Sequence, residues 1–171
     1  MILANAVKRK TTISGCLTIA LVVAGVALGG TVGGGGGSLP GRMTGGGSII
    51  SNGLRVTHGF NLNCDATQSP ERLEVNWGGN SFHLEQLNTA FCSNNPSLNA
   101  GNPSATFNTY SGSGAGRFNG VSGATINFVF TDAGEPGTND FASYTIYDAD
   151  GNLVLTASGN LDNGNQQAHN P

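Results

Sequence analysis

The sequence predicts an all-β, antiparallel β-sandwich, immunoglobulin-like or jelly-roll-like, held by one disulfide. Three observations predict it. Apolar side chains recur with a period of two in a series of short runs. Clusters of Gly, Asn, Asp and Pro separate those runs. The 171 residues include 28 glycines and 20 asparagines, and both residue types are poor helix formers. Runs recurring about every 8 to 15 residues with turn residues between them favour sheets packed face to face.

The chain opens with a basic run, Lys8, Arg9 and Lys10, followed by an apolar stretch over residues 16–28 and then Gly29 and Gly30. A positive segment, an apolar segment of about 7 to 15 residues and a small-residue exit are the parts of a secretory signal peptide. Residues 1–30 are therefore expected to be a signal peptide or, if uncleaved, an N-terminal membrane anchor over residues 16–32, near the lower length limit for a spanning helix. Residues 31–41 form a glycine-rich linker expected to behave as a flexible tether, and residues 42–171 form the folded domain.

Within that domain, residues 54–62 alternate strictly. Leu54, Val56, His58, Phe60 and Leu62 share one face, with Arg55, Thr57 and Asn61 on the other, the pattern of a half-buried strand. The same period places Leu73, Val75 and Trp77 together, then Phe82 with Leu84, then Ile126, Phe128 and Phe130. Residues 141–147 and 153–157 are joined through an Asp-Gly turn, a strong hairpin signal. About eight short strands result. One exception is expected: Leu84, Leu87 and Phe91 have i, i+3, i+7 spacing, which reads as a helical turn leading to Cys92. The terminal Gln-Gln-Ala-His169 segment is expected to dock on the sheet.

Beyond the N-terminal segment two cysteines remain, Cys64 and Cys92, and export to an oxidising compartment predicts a disulfide between them. Charged residues make up 10% of the chain, against roughly 25% in ordinary soluble proteins, so amides and hydroxyls must supply the wet surface. After Lys10 there are four arginines, no lysine and ten carboxylates. Nucleic acid, which is held through clustered Lys and Arg, is therefore not an expected partner. A membrane is expected as a partner only through the N-terminal segment.

Several motifs bear on chemistry. Asp132, Glu135 and Asp140 share one loop, and its Gly-Glu-Pro-Gly turn could fold carboxylates together around calcium, a cation that takes six to eight oxygen ligands. Ordinary turn capping is the alternative. No other cofactor is suggested. His58, His83 and His169 lack any zinc-like spacing. The glycines of residues 112–120 lack the lysine and following helix of a phosphate loop and read as tight turns or close backbone packing. No Gly-x-Ser-x-Gly elbow occurs. Glu71, Glu74, Glu85, Asp132 and Glu135 are available as paired acids for glycoside cleavage, but acids on exposed strands and turns ordinarily only solvate, and no catalytic constellation is recognisable. The chain is thus expected not to be an enzyme, a glycoside-acting hydrolase being the less favoured alternative. Aromatic rings beside amides suit carbohydrate. Tyr110 and Tyr147 are the candidate ligand-binding residues, whereas Trp77, on the face of Leu73 and Val75, reads as core.

Six segments carry a family resemblance. Gly41-Arg-Met-Thr-Gly-Gly-Gly-Ser48, Val56-Thr-His-Gly-Phe60, Val75-Asn-Trp77, Phe82-His-Leu84, Thr131-Asp-Ala-Gly-Glu-Pro-Gly137 and Gly164-Asn-Gln-Gln-Ala-His169 resemble the bacterial domain found after choice-of-anchor domains in secreted and surface proteins. That resemblance implies an exported β-sandwich module, usually a C-terminal companion in larger surface proteins, and assigns no biochemical function. Together these readings predict a structural or binding role at the cell surface or outside the cell. A carbohydrate-binding module is the alternative. The expected partners are cell-wall or extracellular polysaccharide, or a surface protein.

Overall fold

The alternating runs become eight antiparallel strands in the computed structural model, which describes residues 37–98 and 105–171. They are β1 (Arg42–Ser51), β2 (Leu54–Asn63), β3 (Arg72–Trp77), β4 (Asn80–Ser93), β5 (Thr109–Phe118), β6 (Val121–Thr131), β7 (Phe141–Tyr147) and β8 (Leu153–His169). Each pairs with the next, and β1 pairs with β8, so the sheet closes into a barrel. The expected signal peptide or anchor lies outside the described residues.

The all-β antiparallel class and the Cys64–Cys92 disulfide stand, but the two-sheet sandwich is corrected to one closed barrel. Both architectures are built from alternating strands and short turns. What separates them is the long-range ladder from Arg42↔His169 to Ile49↔Leu161, which strand periodicity does not encode. Closure also pairs β1 with β8, the two strands that would be the edges of an open sheet.

Three hairpins at one end of the barrel turn on two residues with positive φ: Asn52-Gly53, Gly78-Gly79 and Asn119-Gly120. These are type I′ turns, whose twist matches that of the flanking strands.

The interior is solid. Phe60 and Phe130 stack with centroids 4.0 Å apart, Phe128 lies 5.2 Å from Phe130, and Trp77 stacks on Phe118. Trp77 is buried, as its face predicts. Space for these rings comes from β5, where Gly112, Gly114 and Gly116 replace side chains on the inner face. A Cβ at those positions would collide with Phe128, Leu84 and Phe82 respectively. The glycines of residues 112–116 are therefore close packing within a strand, not turns.

The helical turn expected at Leu84–Phe91 is also corrected. This segment is β4, and its register against β5 slips between Leu84 and Gln86 and again between Leu87 and Thr89. Each bulge adds a residue to the strand. Inward side chains thus fall at Phe82, Leu84, Leu87 and Cys92, with Ala90 packed against the core, which imitates helical spacing. Phe91 is turned outward and is 45% exposed.

Two ladders stop short. β3 pairs with β4 only from Glu74↔His83 to Trp77↔Asn80, leaving β4 beyond His83 without a strand on that side. The Cys64–Cys92 disulfide, with Cα atoms 5.5 Å apart, staples the far end of this seam. Ser38 reinforces it: its hydroxyl donates to the Cys64 carbonyl at 3.0 Å and accepts from the Cys92 N–H at 3.0 Å. The second short ladder, β7 with β8, ends at Phe141↔Asn160. All ladders and the disulfide lie within residues 42–169, so residues 38–171 contain a complete folding unit.

Two predictions follow from this packing. Replacing Cys64 and Cys92 by serine is expected to lower the unfolding free energy of residues 38–171 by about 3 kcal/mol, measured by denaturant titration. Gly116→Ala, forced against the His83 backbone, is expected to cost about 1–3 kcal/mol. By contrast Gly59→Ala, which meets nothing within 4 Å, should change stability by less than about 1 kcal/mol. Equal losses at the two glycines would contradict the packing role of β5.

Candidate functional site

The loop between β6 and β7 is built from Asp132, Glu135 and Asp140, the three carboxylates read as calcium ligands. Each is engaged by a donor within the chain. Asp140 is fully buried and accepts the backbone N–H groups of Ala133 at 2.8 Å and Gln166 at 2.7 Å. Asp132 accepts those of Gly134 at 3.0 Å and Ala168 at 2.9 Å. Glu135 accepts the Asn165 amide at 2.8 Å. Their common target is the last stretch of β8, past the end of its ladder with β7. The carboxylates supply acceptors where a strand is missing, which satisfies donors that would otherwise be buried unpaired. Among the described residues no group of three or more His, Cys, Asp or Glu is gathered around a point that could hold a metal.

The three imidazoles occupy three separate environments. His83 is exposed on β4 and faces Glu74 at 3.1 Å. His169 lies in the terminal segment, which docks as the end of β8, and its Nε2 is 2.9 Å from the Thr44 hydroxyl. His58 is inside the barrel, as its strand face predicts. Its Nδ1 lies 2.6 Å from the Tyr144 hydroxyl and its Nε2 lies 3.2 Å from the Gln166 amide nitrogen. Both ring nitrogens thus have a polar partner inside the barrel. Burial drives the His58 pKa down to about 4 and raises that of Tyr144 well above the ordinary phenol value. Gln166 Oε1 is the one buried side-chain polar atom without a partner among the described residues.

Of the two tyrosines read as ligand-binding, Tyr110 is corrected. It is wholly buried, stacks on Phe128 and donates its hydroxyl to the Asn63 carbonyl at 2.7 Å. Its inner-face neighbours along β5 are glycines, so no alternation marked that face as core. Tyr147 is half-buried at the end of β7, beside the turn at Asp148–Asn152. Of the acids considered for glycoside cleavage, Glu71 accepts from the backbone and side chain of Asn63, Glu74 faces His83, and Glu85 pairs with Arg117 at 3.1 Å.

The outer wall of β4–β7 offers a different site. Two cross-strand rows lie side by side there. One runs Phe91, Ser111, Val129, Ser143, and the other Thr89, Ser113, Asn127, Thr145. They line a shallow groove of about 470 Å³ that also includes Gly112 and Phe128, and no ionisable side chain lines it. The Thr89 and Ser113 hydroxyls are bonded to each other at 2.7 Å. The side chains of Ser111, Asn127, Ser143 and Thr145 keep their hydrogen-bonding capacity for solvent or a ligand. Sequence reasoning missed Phe91 because the bulged strand imitated a helix whose apolar stripe included it.

No family model, curated protein or solved structure matches this chain. Among the described residues no helix is long and apolar enough to cross a membrane. The barrel carries its apolar residues inside and polar ones such as Thr57, Glu74, Asn76 and Ser81 outside, the reverse of the alternation in an outer-membrane barrel.

The buried groups give a pH prediction. Asp140 is pushed up to about 6 by burial, with the charges of Asp132 and Glu135 adding to the rise and the two backbone N–H donors opposing it. His58 is neutral in the fold but takes a proton near 6.5 when unfolded, so its contribution is lost as pH falls from 6.5 towards 4. Asp140 takes its proton near 6 in the fold and near 3.8 when unfolded, so its contribution rises as pH falls across nearly the same window. The two offset each other. Asp140→Asn is expected to make the melting temperature fall more steeply than wild type on acidification from pH 6.5 to pH 4, and His58→Gln to make it fall less steeply. Identical slopes in all three proteins would refute the assignment.

Proposed function

We propose that this chain is an exported, non-catalytic binding module that recognises polysaccharide outside the cell or at its surface, working from its outer wall. One observation carries the reading: the solvent-facing groove over β4–β7 is uncharged, keeps hydroxyl and amide groups free, and has the exposed Phe91 ring at its edge. Sugars present hydroxyls that pair with such groups and apolar ring faces that stack on aromatic side chains. The solid interior supports the same reading, because a barrel filled by aromatic side chains has no room for a ligand. Export is supported by the basic-then-apolar N-terminal sequence, by the disulfide, and by the resemblance to the domain that follows choice-of-anchor domains.

Residues 38–171, incubated with isolated cell walls and with insoluble cellulose, xylan, mannan and chitin, are expected to show saturable retention on at least one matrix and to release no reducing sugar from it. Absence of retention on every matrix would overturn polysaccharide recognition. Release of reducing sugar would replace the binding reading with the hydrolase.

A further inference from the structure

We infer that the groove over β4–β7 is a subsite for a neutral glycan, with Phe91 as the stacking platform and Ser111, Asn127, Ser143 and Thr145 as the hydrogen-bonding floor; this rests on the polysaccharide reading above. Several asparagines among the described residues serve the fold. Asn63 binds Glu71, Asn108 binds the Asn95 carbonyl, Asn119 binds Asn80, Asn160 binds the Asn139 carbonyl and Asn165 binds Glu135. Asn127 is exposed and holds no such bond, and its row neighbours Ser113 and Thr145 flank it on either strand. Asn127 and the hydroxyls of Ser111, Ser143 and Thr145 thus share one outer wall with the exposed Phe91 ring.

Charge selects the class of glycan. The acidic groups elsewhere on the surface, such as Glu74, Glu85 and Asp162, sit with His83, Arg117 and Arg55, whereas the groove has neither cation nor anion. An anionic polymer would find no arginine to pair with there, and desolvating its carboxylates without a partner is costly. A neutral sugar loses nothing by that absence. Phe91 also differs from the other exposed apolar residues, Ile50, Leu54, Val121 and Leu153. Those four are aliphatic and lie beside the hairpin turns, and none offers a flat π face.

The subsite is tested by titrating residues 38–171 with cello-, xylo-, manno- and chito-oligosaccharides, with oligogalacturonate as the charged comparator. Wild type is expected to bind a neutral oligosaccharide and not oligogalacturonate. Phe91→Ala should weaken that binding at least about tenfold with an unchanged melting temperature, the ring being solvent-facing. Phe91→Trp should retain it, and Asn127→Ala should weaken it about threefold or more. Val121→Ala, beside a hairpin turn away from the groove, should bind like wild type. Binding that survives Phe91→Ala, that is lost with Val121→Ala, or that prefers oligogalacturonate would overturn this subsite while leaving polysaccharide recognition in place. Failure of wild type to bind any oligosaccharide or insoluble matrix would overturn both.

Discussion

Closure of the barrel depends on groups that stand in for backbone pairing at two seams. Between β3 and β4 the ladder ends at His83, and the Cys64–Cys92 disulfide holds the rest of the seam shut. Between β7 and β8 the ladder ends at Asn160, and Asp132, Glu135 and Asp140 reach across to Asn165, Gln166 and Ala168. Without them the N–H groups of Gln166 and Ala168 would face the protein unpaired, a cost of about 1–3 kcal/mol each. The same carboxylates therefore fix the strand that closes onto β1. They also fix Gln166, whose side chain enters the interior and meets His58. A surface loop and the central imidazole are thus linked through one residue of β8.

Volume sets the second constraint. An eight-stranded barrel is just wide enough for side chains to fill, and here large rings from β2, β3, β6 and β7 fill it. Phe60, Phe130, Phe128 and Tyr144 cannot all face inward unless another strand gives way. β5 does so with Gly112, Gly114 and Gly116. β1 does so with Gly45 and Gly47, where added Cβ atoms would run into β8, the Phe60 ring and the Leu161 side chain. Glycine weakens a strand in isolation, and ladders on both sides of β1 and β5 offset that loss. A glycine-rich composition and an aromatic core are two sides of one packing solution.

Legibility in the sequence followed the same physics. Strands whose inward positions are filled, such as residues 54–62, were visible because apolar and polar residues alternate. β1 and the middle of β5 were not, since glycine is silent in such a pattern, and Tyr110 was therefore misplaced on the surface. β4 was misread because two bulges turn a period of two into a spacing of three. The disulfide was legible from the two cysteines left beyond the N-terminal segment. Barrel closure was not, because it joins Arg42 to His169 and no local signal records that pairing. The carboxylates of the β6–β7 loop were legible as a cluster. Their role was not, since it depends on where β8 runs past the end of β7.

The outer groove is a consequence of these internal choices. Gly112 admits the Phe128 ring on the inside, and both residues also line the groove on the outside. The bulges of β4 then determine which side chains border it. With Leu84, Leu87 and Cys92 all directed inward, the extra residues leave Phe91 facing out, in register with Ser111. Phe91 is followed directly by Cys92, which the disulfide anchors to the end of β2, so the aromatic edge of the groove is held by the same bond that closes the β3–β4 seam. Core packing, seam closure and the shape of the exposed wall are in this way set by one group of residues on β4 and β5.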